Sequence, residues 1–334
     1  MSGHVAVVGA TGAVGQEFIR VLAQRKFPYS KITFLASSRS AGKPIEFAGQ
    51  THTVQELTEE SFKGVDIALF SAGASISRKF APIAVKAGTV VVDNSSAFRM
   101  DPEVPLVVPE VNPDDAFKHK GIIANPNCST IIAVVAVWPL YKLCRIERMV
   151  VSTYQAASGA GYQAMVELEE QAREVLAGRK PTPKVLPHQI AFNLFSHNSK
   201  ISENGYNEEE MKMVKETRKM FHDDNMQITA TCVRVPILRA HSESINLTFS
   251  KPVTEQQVRE ALAAAPGVKI VDDRVNNHFP MPLESSDQDD VFVGRIRQDI
   301  SQPDGRGIDM FVSGDQLRKG AALNTVQIAE LISR

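Results

Sequence analysis

The chain predicts an α/β protein in two parts: a nucleotide-binding domain built on a parallel sheet, then an α+β domain whose sheet is largely antiparallel. Three observations predict this. A short apolar run, His4-Val5-Ala6-Val7-Val8, ends in the glycine turn Gly9-Ala10-Thr11-Gly12-Ala13-Val14-Gly15. Apolar runs and helical stretches then alternate as far as residue 124, the pattern of crossover-connected parallel strands. Beyond residue 145 that alternation gives way to a mixture of strands and helices. With 334 residues the chain is long for one domain, and at about 150 residues per domain two are expected. We place them at residues 1–127 plus 315–334 and at residues 128–314.

Bulk properties narrow the class. The net charge is -1 with no run of like charges, which argues against a nucleic-acid or anionic-membrane surface. The longest apolar run falls well short of the ~20 residues a membrane span needs, and the amino terminus lacks a basic region followed by a hydrophobic one. A cytoplasmic protein is expected. Its three cysteines, Cys128, Cys144 and Cys232, have neither metal-ligand spacing nor a disulfide framework, so no metal is expected.

In chain order, residues 4–8 read as a strand and residues 16–25 as a helix, with Phe18, Ile19 and Leu22 at helical spacing. Strand, glycine turn and helix together make the turn a credible dinucleotide fingerprint, with Gly9, Thr11, Gly12, Ala13 and Val14 against the phosphates. The domain is therefore Rossmann-type. Residues 31–36 are a second strand running into Ser37-Ser38-Arg39-Ser40. An NAD site usually places Asp or Glu here; hydroxyls and an arginine suit a 2′-phosphate, which makes NADP the preferred cofactor. A solvated loop arginine is the alternative reading of Arg39. Strands at 66–70 and 89–93 flank a helix at 76–87 and lead into Ser71-Ala72-Gly73 and Asn94-Ser95-Ser96-Ala97-Phe98-Arg99. Ligands bind at the carboxyl ends of such strands, so both loops belong near the cofactor. Arg99 could instead be a surface charge.

A strand at 121–124 delivers Asn125-Pro126-Asn127-Cys128-Ser129-Thr130, which precedes the apolar run 131–138. Asn-Pro-Asn favours a turn, and Ser-Thr ahead of an apolar segment reads as a helix start, so Cys128 opens a helix. The positive end of the helix dipole and its free N–H groups stabilise a thiolate, the reactive form, and can hold an oxyanion. A buried structural cysteine is the bland alternative, which the turn context disfavours.

The second part opens with a strand at 148–155 that ends in Gln155-Ala156-Ala157-Ser158-Gly159-Ala160-Gly161, followed by a helix at 162–176 and a proline-rich loop at 180–188. A further helix from residue 208 places Glu209 and Lys212 three apart on one face, a spacing most often found in ordinary solvated pairs. Strands at 228–235 and 243–249 enclose a connection flanked by Arg234 and His241. An arginine among alternating apolar residues needs a partner, and a substrate carboxylate is one possibility. A histidine of near-neutral pKa is the default acid or base, although both residues could be structural. A helix at 254–264, strands at 291–297 and 309–313, and an amphipathic helix at 316–334 complete the chain. Together these features suggest a thiolate that attacks an activated acyl group or aldehyde, with hydride passing between that carbon and a nicotinamide.

Several of these motifs, in this order and nearly end to end, resemble the aspartate-β-semialdehyde dehydrogenases: the glycine turn, Asn125-Pro126-Asn127-Cys128-Ser129-Thr130, Gln155 before Ser158-Gly159-Ala160-Gly161, Glu209-Glu210-Met211-Lys212, and Arg234 seven residues before His241. The resemblance implies that Cys128 is the nucleophile, His241 the acid/base and Gln155 a positioning group. It implies Arg234 for the substrate carboxylate, Glu209 for the amino group, Arg99 with Lys212 for the phosphate, and Asn127 among the substrate contacts. Ser158, Gly159 and Asn324 are implied on the cofactor side, with Gly320-Ala321-Ala322-Leu323-Asn324 returning to the nicotinamide. The implied reaction is NADPH-dependent reductive dephosphorylation of L-aspartyl-4-phosphate to L-aspartate-4-semialdehyde, in lysine, threonine and methionine biosynthesis, by a homodimer. Rival readings are N-acetyl-γ-glutamyl-phosphate reductase, a non-catalytic NADP-binding relative, and a cysteine hydrolase. An acetylated amine carries no charge for Glu209 to meet, which favours the aspartyl substrate.

Overall fold

The computed structural model describes residues 3–333, in two compact units: Met1–Asn127 with Ala321–Arg334, and Cys128–Gly320. The first unit begins β1 (Gly3–Val8), α1 (Ala13–Gln24), β2 (Tyr29–Ala36), the hairpin β3 (Pro44–Phe47) and β4 (Gln50–Thr53), and β5 (Gln55–Glu56). It continues through β6 (Ile67–Phe70), α2 (Ala74–Lys86), β7 (Val90–Asp93) and β8 (Ile122–Ala124). Six strands form one all-parallel sheet in the order β5-β2-β1-β6-β7-β8. Alternation along β1 divides the core between the two faces. Val5 and Val7 join Phe18 and Leu22 of α1, whereas Ala6 and Val8 join Phe80, Ala81 and Ala84 of α2. The sheet is thus covered on both sides, as a parallel sheet must be.

The second unit holds α3 (Cys128–Leu143), β9 (Ile146–Gln155), α4 (Tyr162–Leu176), β10 (Phe195–Ser196), α5 (Glu208–Phe221), β11 (Gln227–Arg234) and β12 (His241–Phe249). After these come α6 (Glu255–Ala263), β13 (Val268–Ile270), α7 (Pro282–Ser285), β14 (Val291–Gln298) and β15 (Gly307–Gly314). Its seven strands run β10-β11-β9-β12-β15-β14-β13, antiparallel except for the β11–β9 and β14–β13 pairs. Residues 131–137 of α3 are all buried, as expected of a helix that is apolar all round.

Two sequence expectations are corrected. The return to the first unit begins at Ala321 rather than at residue 315. Residues 315–320 stay with the second unit because the buried Asp315 carboxylate accepts the amides of Leu317 and Arg318 and the Arg239 guanidinium. The continuous terminal helix expected from residue 316 is instead a π-helical stretch, Arg318–Ala322, and then α8 (Leu323–Ile332), whose Leu323, Val326 and Ile328 join the α1 side of the first core. Among the described residues no helix is long and apolar enough to cross a membrane.

Candidate active site

In the second unit, five elements converge on one cluster. Cys128 is the first residue of α3, and its Sγ lies 3.4 Å from His241 Nε2, at the start of β12. His241 is fully buried, and its Nδ1 accepts the Ala156 amide at 3.0 Å. An atom that accepts an N–H carries no proton, so the neutral ring holds its proton on Nε2, facing the sulfur. Burial first, and Arg234 second, push this imidazole down to about 3 despite the opposing pull of Glu209. Ala240, directly before it, is buried with φ at +68°, a left-handed strain that sets where β12 begins.

Arg234 ends β11, paired in register with Gln155 at the end of β9, and is only 2 % exposed. Its Nη1 donates to Ala156 O at 2.7 Å, while its Nε–H has no partner among the described residues. An unpaired guanidinium donor this deeply buried is costly unless an anion arrives to meet it. Gln155 donates through Nε2 to Glu209 Oε1 at 3.1 Å, and Lys212 Nζ reaches Glu209 Oε2 at 2.8 Å. Glu209 is 4 % exposed, so this is no solvated surface pair. Two glycines make the space. A Cβ on Gly159 would lie 3.0 Å from Arg234 Nη1 and 3.1 Å from His241 Cε1, and one on Gly320 would lie 3.0 Å from Cys128 Cβ. The buried Ser158 is held by its amide to Leu238 O.

The first unit carries its own set. Gly9 has φ at +85°, and a Cβ on Gly15 would meet Gly9 O at 2.1 Å, so the turn and α1 approach each other as only glycine permits. Gly12 caps α1 without a side-chain hydrogen bond, leaving an amino end that suits a pyrophosphate. Ala13 and Val14 begin the helix. Beyond β2, Ser37, Ser38 and Arg39 are exposed, and Ser40 Oγ accepts from Thr11 Oγ1 at 3.4 Å. Ser71 and Ala72 are partly exposed at the end of β6, with Gly73 at φ +85° before α2. These residues fit a dinucleotide.

Arg99 is not a surface charge: it is 8 % exposed, with Nε on Asn125 O and Nη2 on Asn94 O. Asn125 Nδ2 reaches Asn94 Oδ1 at 2.7 Å, and Asn324 Nδ2 reaches Asn125 Oδ1 at 2.7 Å. Asn127, also buried, closes the unit and is bonded directly to Cys128. Sequence reasoning missed Asn125 as the hub of this network, and in the second unit it missed His197, beside Arg234, and Ser199, beside His197 and Glu209. His197 stands after a two-residue strand, with no periodicity to mark it.

A parallel-sheet dinucleotide unit joined to one in which a part-buried cysteine faces a buried histidine fits a dehydrogenase. The family models agree. Residues 4–119 match the semialdehyde dehydrogenase NAD-binding domain and residues 137–319 the semialdehyde dehydrogenase dimerisation domain. The aspartate-semialdehyde dehydrogenase of a Synechocystis species is 58% identical, across 98% of this chain and 97% of its own. The structure of aspartate semialdehyde dehydrogenase II from Vibrio cholerae, complexed with ASA, superposes with a TM-score of 0.97 at 44% identity, over 100% of this chain and 99% of that one. A more distant one, the Candida albicans enzyme with NADP, gives 0.75 at 26% identity, over 100% and 99%. The chain belongs to the aspartate-semialdehyde dehydrogenase family.

Proposed function

We propose that this chain converts L-aspartyl-4-phosphate to L-aspartate-4-semialdehyde, with NADPH as reductant and release of phosphate, through a thioacyl intermediate on Cys128. The observation that carries this reading is the 3.4 Å approach of Cys128 Sγ to His241 Nε2 at the amino end of α3. The Nε2 proton stabilises the thiolate, which attacks the acyl carbon. First-turn amides of α3 hold the oxyanion until the phosphate leaves. NADPH, when bound, supplies a hydride to the thioacyl carbon. His241 Nε2–H donates a hydrogen bond to the resulting alkoxide without giving up its proton, and collapse of the thiohemiacetal alkoxide returns the thiolate and frees the aldehyde. Arg234 takes the α-carboxylate through its unpartnered Nε–H, Glu209 the ammonium, and Arg99 and Lys212 the phosphate, with Gln155 and Asn127 positioning the acyl group.

Gly9, Thr11, Gly12, Ala13 and Val14 would cradle the dinucleotide, with Ser71, Ala72, Gly73, Asn94, Ser158, Gly159 and Asn324 along its length. The exposed Ser37-Ser38-Arg39-Ser40 turn supports NADP over NAD, and the Candida relative's NADP complex is in keeping with it. The matched dimerisation domain supports a homodimer. The setting is cytoplasmic amino-acid biosynthesis.

The test is the reverse reaction, with purified protein, NADP and phosphate, run with L-aspartate semialdehyde and in parallel with N-acetylglutamate semialdehyde. Phosphate-dependent NADPH formation with the first substrate alone is expected. Turnover of only the acetylated one would overturn the substrate assignment.

A further inference from the structure

Arg234 is held from two sides. Nη1 donates to Ala156 O, and Nη2 lies 2.9 Å from His197 Nε2. A guanidinium can only donate, so His197 Nε2 is the acceptor, and the neutral ring keeps its proton on Nδ1. That proton goes to Ser199 Oγ at 3.1 Å; the Ser199 amide also points at Nδ1, from 3.3 Å, but an Nδ1 that carries the proton cannot accept it, so the shorter, charge-assisted Arg234 contact sets the tautomer. Ser199 Oγ also accepts the amide of Glu209 at 3.1 Å, in the first turn of α5. A continuous chain of hydrogen bonds therefore runs from the Arg234 guanidinium through the imidazole to the residue that also meets Gln155 and Lys212.

We infer that His197 is a positioning residue: its bare Nε2 fixes the guanidinium plane of Arg234 for the substrate α-carboxylate, and its Nδ1–H registers that plane to Glu209. The inference rests on the reading of Arg234 proposed above. The residue type suits the task. A carboxylate at position 197 would neutralise Arg234 and compete with the substrate, and an ammonium would repel it. A neutral acceptor holds the plane and leaves the charge for the ligand. Burial, with Arg234 and Lys212 adding to it against Glu209, pushes His197 down to about 4, so the ring stays neutral across the working range.

Two near-isosteric substitutions separate the edges of the ring. In His197→Gln the side-chain oxygen reaches the Nε2 position, whereas His197→Asn keeps a polar group only near Nδ1. The readout is the kcat/KM preference for L-aspartate semialdehyde over 3-aminopropanal, which lacks the carboxylate, with the KM of phosphate and NADP measured alongside. His197→Asn is expected to lose about tenfold in that preference through KM, the scale of one hydrogen bond to a charged group, with kcat within threefold and the other KM values unchanged. His197→Gln is expected to keep it. Arg234→Ala is the control. Preference intact in Arg234→Ala overturns the Arg234 reading and the inference with it. Preference lost there but equal in His197→Asn and wild type, or equally impaired in both His197 variants, overturns the inference alone.

Discussion

At the scale of single residues, the second unit tolerates groups that a stability argument alone would exclude. Glu243 lies on the same face of β12 as His241, between Thr153 and Val312 in register, fully buried and with neither carboxyl oxygen partnered among the described residues. Burial raises its carboxyl well above the usual range, so it is neutral in the native state. The unfolded chain ionises this group near pH 4.5 and the native protein does not, so stability is lost as pH rises from there. His197 and His241 act in the opposite sense. Their folded values lie near 4 and 3, so the unfolded chain binds protons that the native state refuses, and stability is lost as pH falls below 6.5. Glu243→Met should therefore stabilise the fold by roughly 1 kcal/mol or more, and by more at pH 7 than at pH 5. Denaturant midpoints at the two pH values check this; a gap that does not widen, or a less stable variant, would contradict it.

At the scale of elements, strands and helices with strong periodicity were readable. The strand read at 291–297 and found at 291–298, the helix at 162–176 and the α3 start at Cys128 followed from apolar pattern and turn chemistry. The short pieces were not: β3 and β4 are a hairpin of four-residue strands, and β10 and β13, two and three residues long, owe their pairing to strands well beyond them in the chain. The same limit hid His197, which is placed by the β10–β11 pairing, and hid the depth of Arg99 and Glu209, whose burial no local pattern records. Where an element ends in a loop with its own chemistry, the sequence was informative. The turn after β2 exposes Ser37, Ser38 and Arg39 at the edge where a ribose would lie. Arg39→Ala should lower the NADP over NAD ratio of kcat/KM at least tenfold, the scale of a lost charged contact. An unchanged ratio would mean that the 2′-phosphate is held elsewhere.

At the scale of the whole molecule, the chain passes from its first unit to its second at the Asn127–Cys128 bond and returns at Ala321. The first crossing was legible, because a strand, an Asn-Pro-Asn turn and an apolar helix meet there. The second was not, since Asp315 holds the residues after β15 by contacts with Arg239 and with local amides that leave no mark on periodicity. Cys128 thus opens the second unit one bond beyond the dinucleotide-binding one, and what forms on its sulfur decides whether it is the proposed nucleophile. The most direct measurement is intact and peptide mass spectrometry after incubation with aspartyl phosphate and NADP, which leaves no hydride available. An aspartyl adduct on the peptide bearing Cys128, absent in Cys128→Ser, is predicted. Phosphate release with no adduct, or an adduct on another residue, would contradict it.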